Sequence, residues 1–187
     1  MSGESSERVP MIRSRSDVDS DAEEAFEYIF QTRDHVKGPF CALLHSPDIA
    51  TRVGKLGTYI RFESELAGWV RELAVLTTAR EHRCAYEWAY HEPIARNEGV
   101  SETAVRIVRN RDPVKDLSEE AALVVRYARE LIESNEISDS TFSRAQRHFS
   151  EQELVELTTT IGYYGMLASV IHAFGILPES GQIDWTA

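Results

Sequence analysis

Residues 71–91 read RELAVLTTAREHRCAYEWAYH, and the organisation of the chain follows from how this stretch folds. Leu66, Trp69, Val70, Leu73 and Leu76 recur at helical spacing, so Glu72 is expected on a helix, beside its buried stripe. A break is expected around Glu81–Arg83, with a new helix starting near Cys84. On that helix Cys84, Glu87 and His91 fall at i, i+3 and i+7, which puts them on one face about a turn apart. A thiol, a carboxylate and an imidazole on one stripe is an unusual set for a packing surface, and the preceding helix would let Glu72 reach the same pocket.

Working outward, the sequence punctuates itself into helices. Ser20 with Glu23 reads as a capping box opening a helix through Phe30, and Gly38-Pro39 then breaks the chain ahead of an apolar segment, Phe40 to His45. Ser46-Pro47 is a start signal, serine as N-cap and proline at the first helical position, for a helix reaching about Phe62. Ser64 is expected to cap the helix that carries Glu72. Downstream, Pro93 interrupts one helical hydrogen bond, Gly99 ends that helix, and Ser101, Ser118 and Ser138 or Asp139 open three more. Ser150 with Glu153 is a second capping box, opening a long apolar helix to about Phe174, stopped by Gly175. No segment alternates with period two between hairpin turns, so the fold class is all-α: a single-domain bundle of about eight helices. A helix apolar nearly all round, like the last one, is either central or shared with another subunit.

Length and composition bound the function. The 187 residues make one domain, read as a polar, mobile segment at 1–18 followed by a helical domain at 19–187. The net charge of −11 argues against nucleic acid, since phosphate binding needs clustered Lys and Arg. The N-terminus lacks an apolar signal core, and the run from Ile161 to Ile176 is short for a bilayer and carries His172, so no membrane partner and a cytoplasmic location are expected. Two cysteines, Cys41 and Cys84, make no disulfide framework and fit a reducing compartment.

The candidate catalytic residues are therefore Cys84, His91, Glu72 and Glu87. Near a helix N-terminus, Cys84 would feel the positive end of the helix dipole, which favours the thiolate. His91 could favour it further, and Glu72 or Glu87 could orient the imidazole or exchange protons with a substrate. The plainer reading is a buried structural thiol next to an ordinary Glu87–His91 pair. Cys41, in an apolar segment, reads as core. A metal held by Glu87, His91 and Glu92 lacks a third convincing ligand, so neither metal nor cofactor is expected.

These residues carry a resemblance. Leu43-Leu44-His45-Ser46-Pro47, Arg71-Glu72-Leu73, Cys84-Ala85-Tyr86-Glu87-Trp88 with His91, and Gly162-Tyr163-Tyr164-Gly165-Met166-Leu167-Ala168 make the chain resemble the carboxymuconolactone decarboxylase family, in the alkyl-hydroperoxidase D-like superfamily, from about Val36 to Ile176. The peroxidase branch uses the pattern E-x11-C-x2-C-x3-H. Glu72, Cys84 and His91 match its first, second and last positions, and Glu87 stands where the second cysteine belongs. A carboxylate cannot attack a peroxide and close a disulfide. The decarboxylase branch implies loss of carbon dioxide and cofactor-free delivery of a proton. Three readings follow: an acid–base enzyme acting on a small organic acid or lactone, a one-cysteine thiol peroxidase, and a non-catalytic oligomeric binding protein. The resemblance implies a small-molecule substrate and a homo-oligomer, trimer or hexamer.

Overall fold

A computed structural model describes residues 7–179, 183 and 185. Among them are nine α-helices and no strand: α1 (Glu23–Arg33), α2 (Pro39–Leu43), α3 (Pro47–Phe62), α4 (Gly68–Glu81), α5 (Ala85–Asn97), α6 (Glu102–Asn110), α7 (Glu119–Ser134), α8 (Asp139–His148) and α9 (Glu151–Phe174). Two short 3-10 turns, Arg15–Asp17 and Val114–Asp116, complete the set. The ninth helix, beyond the expected eight, is the apolar segment after Gly38-Pro39, which closes into a single turn and a half.

Several helix starts follow from capping chemistry. Ser101, Ser118, Ser138 and Ser150 each accept a hydrogen bond from a backbone N–H in the first turn, and Ser150 with Glu153 forms the full capping box. Pro47 sits in the first turn of α3 as expected. Two starts differ. Helix α1 begins at Glu23 with Ala22 as its cap and no capping box, because a turn closed by Ala22 N–H to Asp19 carbonyl precedes it. Helix α4 is capped by Ala67, and the Ser64 hydroxyl instead donates back to the Ile60 carbonyl at the end of α3.

Helix α4 is the hub. From Val70 to Arg80 every residue but Arg71 is buried, and the helix packs against α5, α6, α7 and α9. Its apolar side joins α5, α6, α7 and the first half of α9 in one core around Trp88, Leu73, Leu76, Leu123 and Leu157. A second cluster gathers α1, α2 and the end of α9 around Phe26, Ile29, Phe40, Leu44 and Ile171, and contains both Cys41 and Cys84. Helix α9 is long and apolar enough to cross a membrane, yet many of its apolar side chains are core residues of this bundle.

The N-terminal segment lies against the bundle from Glu7 onward. Met11 and Ile12 are buried in the second cluster, Ile12 N–H donates to the Cys41 carbonyl, and His45 bonds the Pro10 carbonyl through Nε2.

Candidate active site

The break between α4 and α5 sets the site. His82 ends α4, Arg83 takes a left-handed turn at φ 52°, and Cys84 caps α5 in an extended conformation. The tight reversal lays α5 back along α4. Glu72 and His91, nineteen residues apart, then meet at 2.7 Å, Oε2 to Nδ1. The other imidazole nitrogen, Nε2, lies 3.5 Å from Glu87 Oε2, and Arg71 Nε donates to Glu72 Oε1 at 3.2 Å. All three central side chains are buried. Tyr164 from α9 stacks edge-on to the His91 ring at 4.9 Å, and Tyr90 flanks it at 5.2 Å. The imidazole is thereby fixed by two carboxyls and two rings.

The two carboxyls are pushed apart. Burial raises the Glu72 carboxyl, but the hydrogen bond and attraction of His91 and then Arg71 outweigh it and hold it below its ordinary value. Burial dominates at Glu87, whose carboxyl is raised despite the opposing pull of His91 and Arg61. Divergent environments of this kind favour the anion at Glu72 and the neutral acid at Glu87. An ionised Glu72 accepts the Nδ1 proton, which leaves Nε2 to exchange one with Glu87.

Glu87 and His91 open onto a cavity of about 50 Å³. Tyr86, Tyr90, Tyr163, Tyr164 and Phe40 form its aromatic walls, and Arg33, Arg61, His35 and Lys37 its basic ones. Two glycines admit these walls. A Cβ on Gly38 would stand 2.5 Å from Tyr86 Cε1, and one on Gly57 would collide with the Tyr163 hydroxyl. That hydroxyl donates to the Val53 carbonyl at 3.1 Å.

Cys84 stands apart from this constellation. It is fully buried among Cys41, Ile171 and other apolar side chains, and it is not part of the cavity wall. Burial pushes its thiol up to about 12, and the backbone N–H groups of Glu87 and Tyr86 offset little of that. The expected thiolate at a helix N-terminus is therefore corrected: desolvation exceeds the dipole. Cys41, its thiol pushed up to about 11 by burial, bonds the Val36 carbonyl as a core residue. Glu92 accepts from Trp88 Nε1 and Arg96, so it is not beside Glu87 and His91 as the weighed metal site would need. Among the described residues no cluster of three His, Cys, Asp or Glu side chains suits a metal.

Helical spacing marked Tyr86 as core or pocket wall, and the structure puts it in the wall; the basic residues and the other aromatic ones carried no such signal. Arg33, His35 and Arg61 lie in other helices or loops, and their spacing gives no signal; Tyr163 and Tyr164 were visible only as part of the resemblance.

Residues 47–130 match the model of the Carboxymuconolactone decarboxylase family. Over those residues the chain is similar to that family, and its fold is shared with AhpD-like structures. Its fold is similar to that of an alkylhydroperoxidase AhpD core, a peroxidase-related protein from Ralstonia eutropha JMP134, with a TM-score of 0.76, 16% identity, and coverage of 95% of this chain and 94% of that one. The debrominase Bmp8, as a cysteine-to-alanine variant in complex with 2,3,4-tribromopyrrole, aligns with a TM-score of 0.67, 18% identity, and 97% and 94% coverage. A putative antioxidant defence protein AhpD from Agrobacterium tumefaciens aligns with a TM-score of 0.61, 21% identity, and 76% and 98% coverage. At these identities the likenesses establish the fold. The search of curated proteins gives no match.

Proposed function

We propose that this protein is a cofactor-free acid–base enzyme acting on a small organic acid or lactone. The observation that carries this reading is one imidazole held between two buried carboxyls whose proton affinities are pushed in opposite directions, with Glu87 and His91 facing a cavity from which the thiol is excluded. In the corresponding step the bond from the substrate to its carboxylate breaks, carbon dioxide leaves, and the electron pair stays on the substrate. Neutral Glu87 gives its proton to that carbon, and His91 Nε2 returns one to Glu87 from solvent while Glu72 holds Nδ1. The aromatic walls limit the access of water to the proton in transfer.

The test is carbon dioxide release from a panel of carboxylated lactones and unsaturated acids by the native protein, Glu87→Gln and Cys84→Ser. Turnover that survives in Cys84→Ser and is lost in Glu87→Gln supports the reading. Saturable binding without turnover identifies a binding protein.

A second reading, thiol peroxidase chemistry at Cys84, draws support from the likeness to the peroxidase-related and AhpD proteins. Hydroperoxide consumption with excess dithiol that vanishes in Cys84→Ser would establish it.

Self-association belongs to the same proposal. Leu56, Tyr59 and Val155 are exposed around a groove of about 480 Å³ between α3 and α9, with exposed Met166 further along α9, and a second copy of the chain would cover them.

A further inference from the structure

In a chain with net charge −11, two guanidiniums without a carboxylate partner line one cavity. Arg61, in the last turn of α3, makes no hydrogen bond or ion pair among the described residues. Its guanidinium rests 5.0 Å from the Phe62 ring centre and 6.0 Å from that of Tyr90. Arg33 bonds only the Gly54 carbonyl and neutral hydroxyls, and lies over the Phe40 ring at 4.5 Å. Glu81, by contrast, takes both Arg111 and Arg129. Within the cavity the carboxyl that faces Arg61 is Glu87, whose proton affinity burial raises despite the pull of His91 and Arg61.

We propose that Arg61, backed by Arg33, is the oxyanion-binding element of this site, and that the substrate presents a carbonyl oxygen to α3 and its reacting carbon to Glu87. The inference rests on the acid–base reading above. When the carboxylate bond breaks and carbon dioxide leaves, the electron pair moves into the adjacent carbonyl, whose oxygen becomes an enolate. Arg61 stabilises that oxygen; the pair then returns to carbon as Glu87 delivers its proton, and the guanidinium releases a neutral carbonyl. A guanidinium on the departing carboxylate would hold it back, so the charge Arg61 meets is the one that develops. The substrate class is thus an acid whose carboxylate is conjugated through carbon to a ketone, ester or lactone carbonyl. A planar, five-donor fork over aromatic rings suits such an oxygen better than an ammonium.

The test uses sodium propionate, a stable oxyanion small enough for the cavity, with propionamide as its uncharged counterpart. Binding is followed at the arginine Nε–H signals of the full-length protein by NMR, with Arg61→Gln, Arg61→Lys and, as a charge control on the same helix, Arg52→Gln. Propionate is expected to shift the Arg61 signal saturably and propionamide not. Affinity should fall about tenfold or more in Arg61→Gln, less in Arg61→Lys, and not at all in Arg52→Gln. Equal binding of the two probes, no saturable propionate binding to the native protein, or unchanged affinity in Arg61→Gln would overturn the proposal. Because the readout is binding, propionate captured at Arg61 without turnover of any acid sinks the acid–base reading while leaving the anion site standing. Turnover with kcat unchanged in Arg61→Gln sinks the anion site alone.

Discussion

His91 Nδ1 and Glu72 Oε2 lie 2.7 Å apart, and this contact ties α5 to α4 at the centre of the molecule. It does two jobs. It fixes the imidazole so that Nε2 faces Glu87, and it satisfies a carboxylate that would otherwise be stranded in the core.

The first prediction concerns Glu72→Gln. The Glu72 carboxyl is held below its ordinary value, so its contribution to stability is present above the unfolded value near 4.5 and is lost as pH falls through the folded one. The native protein should therefore be more stable than the variant at neutral pH, with a gap in Tm that narrows on acidification. A gap independent of pH would mean that Glu72 is not the anion of the pair. Activity should fall by roughly 10²–10⁴ if Glu72 orients the base.

Glu87→Gln has the opposite sign. Here the folded carboxyl is raised, so the native protein binds the extra proton and loses stability as pH climbs from about 4.5 towards the folded value. The variant escapes that loss. Its Tm should rise relative to the native protein between acid and neutral pH, while turnover drops by roughly 10²–10⁴. Thermal melts across the pH range check the first claim, and steady-state kinetics the second.

Cys84 should be slow to alkylate in the folded state. With the thiol pushed up to about 12 by burial, the thiolate is scarce at neutral pH. Iodoacetamide labelling read by mass spectrometry should mark Cys84 only after unfolding, and rapid labelling of the folded protein would restore it as a nucleophile. Cys84→Ser should cost about 1–3 kcal/mol in stability by burying a hydroxyl, and leave proton-transfer activity in place.

Gly38→Ala should disturb the cavity from outside it. Gly38 adopts φ 59°, where a side chain is strained, and its Cβ would press on the Tyr86 ring. A loss of about 1–3 kcal/mol is expected from the backbone conformation and the displaced ring. Chemical denaturation measures it, and a change in propionate affinity would report the movement of Tyr86.

The exposed apolar groove gives the last prediction. Val155, 65% exposed on α9, should be covered in an oligomer, so Val155→Glu should yield a smaller species in sedimentation velocity. An identical sedimentation coefficient would place the contact elsewhere.

The sequence by itself determined most of the helices, because their signals are local. A serine one residue before a helix satisfies orphan N–H groups whatever the rest of the chain does, which is why Ser101, Ser118, Ser138 and Ser150 were legible. Where a competing bond existed, as at Ser64, the local reading missed. The grouping of Glu72, Glu87 and His91 could be drawn from helical periodicity on two adjacent helices and from the family resemblance. The tertiary structure alone decided what that grouping does. Cys84 shares a face with Glu87 and His91 by spacing, yet its side chain enters the apolar cluster of α1, α2 and α9, and desolvation there overrides the helix dipole. Arg33 and Arg61 come to the cavity from α1 and α3 by packing, so no spacing announces them. Proton affinity and charge depend on how much water the neighbours exclude, and those neighbours are set by packing across the whole chain.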